Sequence, residues 1–113
     1  VYNDPNYIYS QSFGIYIINE IIKTYFHNSI KYLEKSDFNL AFKYSSFFDK
    51  YSINHPYMSF IYIYSIFNIY NNNLNEEFNY KIIKHYYISN NIIKFYNMSI
   101  LNTYINNILE NYK

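Results

Sequence analysis

The sequence predicts an all-α fold of about five helices, built as antiparallel hairpins stacked into a short solenoid. Three observations carry this expectation. The uninterrupted segments run for about 13 to 22 residues, whereas strands usually have about five or six. A single Gly in 113 residues leaves almost nothing from which to make hairpin turns. The chain also resembles itself when shifted by 36 residues, with two helices in each period.

Residues 1–12 carry Pro5 among Asn and Ser without a clear period, and read as a flexible N-terminal arm. The domain proper is expected over residues 13–113. From Phe13 to Lys35 only Gly14 weakens a helix, and Ile18, Ile21, Ile22, Tyr25, Phe26, Ile30 and Leu33 keep the three-four spacing of one face. Ser36-Asp37 ends this run, and Asp37 can cap the next helix. That second helix is predicted from Phe38 to Tyr51, with Ala41, Tyr44, Phe48 and Tyr51 on one side. After the turn Ser52 to Pro56, Pro56 suits the first position of a third helix ending at Tyr70. This third helix is apolar nearly all round and should be central. Asn71 to Asn75 reads as a loop. Glu76 and Glu77 then give a fourth helix the acidic first turn that its dipole favours, and it is expected to end at Ile88. Asn90-Asn91 should break the chain before a capping helix over residues 92–111.

The shift by 36 aligns Phe42 with Phe78, Tyr44 with Tyr80, Tyr51 with Tyr87, and Ser29 with Ser65. It also aligns Ser36-Asp37 with Asn72-Asn73, and Asn54-His55 with Asn90-Asn91. Matched breaks weigh more than matched tyrosines in a chain so rich in Asn, Ile, Lys, Tyr and Phe. This bias is what an AT-rich genome imposes, and it removes most of the strand signal that Ile, Tyr and Phe would otherwise carry. The two units are read as residues 20–55 and 56–91.

Composition narrows the function classes. A net charge of +1 from scattered lysines, with no Arg, is a poor footprint for nucleic acid. The absence of Cys removes disulfides, thiolate chemistry and zinc clusters. The most apolar stretch, Met58 to Tyr70, is shorter than the roughly 20 residues of a bilayer span, so no transmembrane helix is expected. His27, His55 and His85 fall on different elements without carboxylates at ligand spacing, and read as surface or turn residues. The carboxylates read as helix caps or solvated groups. No serine has His and Asp companions in a catalytic pattern, and one Gly cannot build a phosphate loop. No catalytic residue, metal site or cofactor is expected.

Residues 25–52 resemble a tetratricopeptide unit. Tyr25, Ser29 and Tyr32 take the large, small and large positions of its first helix. Ser36-Asp37-Phe38 stands where that family has Gly-Asp-Tyr, Ala41 is the small residue at the helix crossing, and Tyr44 and Phe48 follow. Within these repeats, Tyr32 to Ala41, Phe48-Asp49-Lys50-Tyr51 and Pro56-Tyr57 are similar to the BamD family of lipoproteins, which serve outer-membrane β-barrel assembly. The similarity spans residues 25–109, about the N-terminal half of that family. The family's lipid-bearing Cys and later repeats have no counterpart, and Glu77 stands where the second unit should have Ala.

The resemblance implies a non-catalytic scaffold that holds another protein or an extended peptide in a concave groove lined by the first helix of each hairpin. It implies the periplasmic face of the outer membrane, with membrane association only through a lipid anchor or a partner. On this register the groove positions are Asn28, Lys31 and Tyr32 in the first unit and Tyr64, Phe67 and Asn68 in the second. Tyr32 and Phe67 are the expected anchors, because aromatic side chains in a desolvated groove carry most binding energy. Two other classes compete. A structural subunit of a large organellar or ribosomal assembly would fold only on its partner. An RNA-binding helical repeat would stack bases on tyrosines and release them with salt.

Overall fold

The computed structural model describes the backbone of residues 5–70, 76–95 and 99–110, and the side chains of residues 14–70, 78–92 and 101–110. Five helices follow one another: α1 (Pro5–Glu34), α2 (Phe38–Lys50), α3 (Pro56–Tyr70), α4 (Glu76–Phe95) and α5 (Ser99–Glu110). All regular structure among the described residues is helical. Each helix packs on the next, and α1 also reaches α3, so two hairpins stack and α5 closes the far end. The period is visible as contact. Phe42 and Phe78, one period apart, bring their rings to 6.5 Å.

The α1–α2 turn is built by its own residues. Asp37 caps α2 by accepting from the Leu40 amide at 3.3 Å, as the sequence predicts. The Asp37 amide donates back to the Tyr32 carbonyl at 2.9 Å, which turns Ser36 into the left-handed region at φ 57°. The α2–α3 turn repeats this device. The Ile53 amide donates to the Phe48 carbonyl at 2.9 Å and Ser52 has φ 55°. Pro56 opens α3, and the His55 ring supplies the cap, its Nδ1 accepting from the Tyr57 amide at 3.2 Å.

Helix α3 is the hub. Met58, Ile61, Ile63 and Ile66 are fully enclosed, and Tyr62 nearly so. Around it gather Ala41 and Phe48 of α2, Ile82 of α4, and Leu101, Ile105 and Ile108 of α5. The small Ser29 and Ala41 are both at 0% exposure, one on each helix of the first hairpin. Small side chains are what allow antiparallel helices to approach closely.

Two expected boundaries are corrected. Residues 5–12 are not an arm but the first turns of α1: Pro is tolerated at a helix start, and nothing from Asn6 to Phe13 blocks one. Asn90-Asn91 does not break the chain. Helix α4 runs through it to Phe95, because Asn costs only about 0.7 kcal/mol in a helix and the buried face from Ile82 through His85 and Ser89 carries the turn onward. The capping helix therefore begins at Ser99 rather than Ile92. Asn72-Asn73, the other matched break, lies outside the described residues.

Two stability outcomes follow. Ala41→Phe should cost about 1–3 kcal/mol by overpacking an enclosed position, measured by denaturant unfolding. Ser52→Gly should add about 1 kcal/mol, since it relieves a left-handed conformation in a residue with a Cβ. Unchanged midpoints in either variant would contradict the packing and the turn geometry described here.

Candidate functional site

The second helices of the two hairpins carry a polar chain that ties three elements together. Asp49 near the end of α2, Ser59 on α3 and His85 on α4 converge. His85 Nε2 lies 2.7 Å from Asp49 Oδ1, and His85 Nδ1 lies 2.8 Å from Ser59 Oγ. A carboxylate only accepts, so Nε2 bears the imidazole proton and donates to Asp49. Nδ1 then accepts from the Ser59 hydroxyl. Each member has its partner, and the His85 ring also packs on Tyr62 at 4.5 Å.

Charges complete the arrangement. Lys81 Nζ stands 3.3 Å from Asp49 Oδ2 and Lys84 Nζ 3.5 Å from Oδ1. Burial pushes the Asp49 carboxyl up, but the His85 hydrogen bond and the nearby His85 and Lys81 outweigh it and hold the group below 3.8. Burial pushes His85 down, against the attraction of Asp49, and Lys84 and Lys81 add to the depression below 6.5. The folded chain thus keeps a neutral imidazole between a hydroxyl and a carboxylate.

Ser, His and Asp in one hydrogen-bonded chain is the residue set of nucleophilic hydrolases. Here the Ser59 side is closed. Ser59 is 3% exposed, and its amide donates within the helix to His55 rather than toward a developing oxyanion. Only Asp49 reaches a surface cleft. The arrangement pins three helices in one register.

That cleft is an open trough of about 690 Å³ between α1, α2 and α4, with Tyr62 of α3 beneath it. Aromatic rings from Tyr25, Phe42, Phe47, Tyr62 and Phe78 line it, together with exposed Lys43, Lys50 and Tyr51 and the Asp49–Lys81 pair. A second groove of about 360 Å³ continues from it along α1, lined only by Ile18, Ile21, Ile22, Phe47, Tyr51 and Ile53.

None of the six groove positions expected from the sequence lines either cavity. Tyr32 stacks on Tyr44 of α2 at 5.5 Å and packs against the core, with Lys31 above its ring. Tyr64 stacks on Phe60 and meets the edge of Phe38. Phe67 rests on Tyr104 of α5 at 5.1 Å. Asn28 is half-buried, and Asn68 is exposed and donates to the Tyr64 carbonyl. The expected anchor rings are therefore engaged with rings of the same chain.

Sequence reasoning missed Asp49 and His85, reading one as solvated and the other as a surface or turn residue. The signal was present in the repeat, since the two stand 36 positions apart and so occupy equivalent places in successive units. Ser59 had no such signal. Among the described residues no three His, Asp or Glu side chains gather as metal ligands, and no helix is long and apolar enough to cross a membrane. Comparison with known proteins finds no matching family model, no matching curated protein and no matching solved structure.

The depressed His85 sets a pH dependence. Below 6.5 the unfolded chain takes up a proton that the folded chain resists, so stability should fall as pH drops from there. Asp49, held below 3.8, adds a second loss in stronger acid. His85→Ala should cost about 1–3 kcal/mol at neutral pH by stranding the buried Ser59 hydroxyl, while Asp49 keeps Lys81 and Lys84. It should also remove the decline just below 6.5. Thermal melts across pH check both, and a variant with the parent's slope would contradict the assignment.

Proposed function

We propose that this chain is a non-catalytic scaffold that binds another protein through the aromatic trough between its second helices. The observation that supports the reading is the trough itself: a concave surface with six aromatic rings, held open by hairpins whose register the Asp49–His85–Ser59 chain fixes. Aromatic faces give a partner segment large apolar contact at small entropy cost, which is how protein-binding surfaces concentrate affinity. The enclosed Ser59 argues against hydrolysis. The finer reading, a BamD-like part of outer-membrane protein assembly, rests on the resemblance of residues 25–109 and is proposed on that ground alone.

A photo-crosslinking side chain at Ser46, inside the trough, should yield a discrete protein adduct in the cells that make the chain. The same group at Tyr80, 68% exposed and outside the trough, should not. Adduct at neither position, or equally at both, would overturn the reading. An adduct destroyed by ribonuclease would replace it with RNA binding.

A further inference from the structure

Charge is unevenly spread over a chain that is almost neutral. Nine lysines stand against eight carboxylates in the whole sequence, yet Lys43, Lys50 and Lys81 line the trough against the single carboxylate of Asp49. Lys84, on that same carboxylate at 3.5 Å, adds a fourth cation beside them. Both Asp49 oxygens are already engaged inside the chain. Oδ1 receives His85 and Lys84, and Oδ2 receives Lys81 at 3.3 Å. Among the described residues no carboxylate lies within ion-pair distance of Lys43 or Lys50. Both side chains are exposed, and each ammonium instead lies over the ring of its own neighbour, Tyr44 at 6.0 Å and Tyr51 at 5.4 Å.

These two cations have a defined spacing. Lys43, Ser46, Phe47 and Lys50 fall at i, i+3, i+4 and i+7 on α2, the spacing of one helical face, and all four line the trough. Seven residues of helix put Lys43 and Lys50 about 10 Å apart along the axis. Phe47 stands between them. This wall is an apolar centre with a cation at either end. The segment that matches it carries an apolar side chain between two acidic ones, separated by about three residues of extended chain.

Single-stranded RNA would use the same cations, but it also needs ring faces on which bases can stack. In the trough those faces meet other rings. Tyr25 lies flat on Phe47 at 4.1 Å, and Tyr62 has Phe42 at 5.4 Å and His85 at 4.5 Å. Phe78 meets Tyr70 at 4.9 Å. Rings engaged in this way leave mainly their edges, the positive part of the ring quadrupole, which suits a carboxylate better than a base.

We infer that the trough binds an acidic segment of a partner protein, with an apolar side chain beside Phe47 and flanking carboxylates on Lys43 and Lys50. The inference rests on the protein-binding reading given above and adds the chemistry of the partner.

Fluorescence anisotropy of a labelled random copolymer of Glu and Tyr, titrated with the full chain, tests it. The copolymer should bind, with an affinity that falls as salt rises, and a copolymer of Lys and Tyr should not. Lys43→Glu/Lys50→Glu should weaken binding by about tenfold or more, and Lys43→Gln/Lys50→Gln should weaken it less. Lys23→Glu/Lys35→Glu changes the net charge as much at exposed positions outside the trough, and should leave binding unchanged. All three variants should keep the parent's circular dichroism. No binding of the Glu-Tyr copolymer, a loss no greater in the trough variants than in the control, or tighter binding of oligouridylate overturns the inference. A chain that fails these tests but still forms the Ser46 adduct keeps the scaffold reading with a partner of other chemistry, whereas absence of the adduct as well removes both.

Discussion

Helix α3 is surrounded, and the remaining architecture follows from what that requires. Five of its side chains, Met58, Ile61, Ile63, Ser65 and Ile66, have no contact with water, and its neighbours come from α1, α2, α4 and α5. Burying a helix on all sides also buries its polar side chains, which are costly unless paired. Ser59 meets this by donating to His85, and His85 in turn needs an anion at its other nitrogen, which Asp49 supplies. Apolar burial would tolerate some sliding between helices. A hydrogen-bonded chain through three of them does not, because a shift of one residue would strand all three groups.

The surface features arise from mismatched lengths around this hub. A short α2 laid against a long α1 leaves residues 15–21 of α1 exposed, and the edge where α2 ends becomes the apolar groove. The trough opens between α1, α2 and α4 over Tyr62, and the rings that line it face the cleft. The groove is built by α1, α2 and the turn after α2, whereas the trough also spans α4 and depends on α2 and α4 holding a fixed spacing. The Asp49–His85 contact sets that spacing directly.

Much of the fold is legible in the sequence for physical reasons. The caps are local: Asp37 and Pro56 act within a few residues, so their positions are readable without tertiary knowledge. Ala41 is legible because a chain that uses Ala once has placed it where size is limited. The helix end expected at Asn90-Asn91 is absent because Asn is a weak helix former rather than a stop, and packing of Ile82, His85 and Ser89 overrides it. The candidate site was less legible. Tyr32 and Phe67 have the chemistry of binding anchors, and only the tertiary structure shows Tyr32 stacked on Tyr44 and Phe67 tilted against Tyr104. Asp49 and His85 look like ordinary solvated residues until the period of 36 brings them together.

The central claim is that a neutral His85, protonated at Nε2, joins Asp49 to Ser59 in the interior. Nitrogen-detected NMR of the imidazole in the full chain at neutral pH tests this most directly. The account predicts that His85 is held as the Nε2–H tautomer, as is His55 with its Nδ1 at the Tyr57 amide, and that a slowly exchanging ring proton disappears in His85→Ala. Three rings that all interconvert rapidly between tautomers, or a charged His85 at neutral pH, would contradict it.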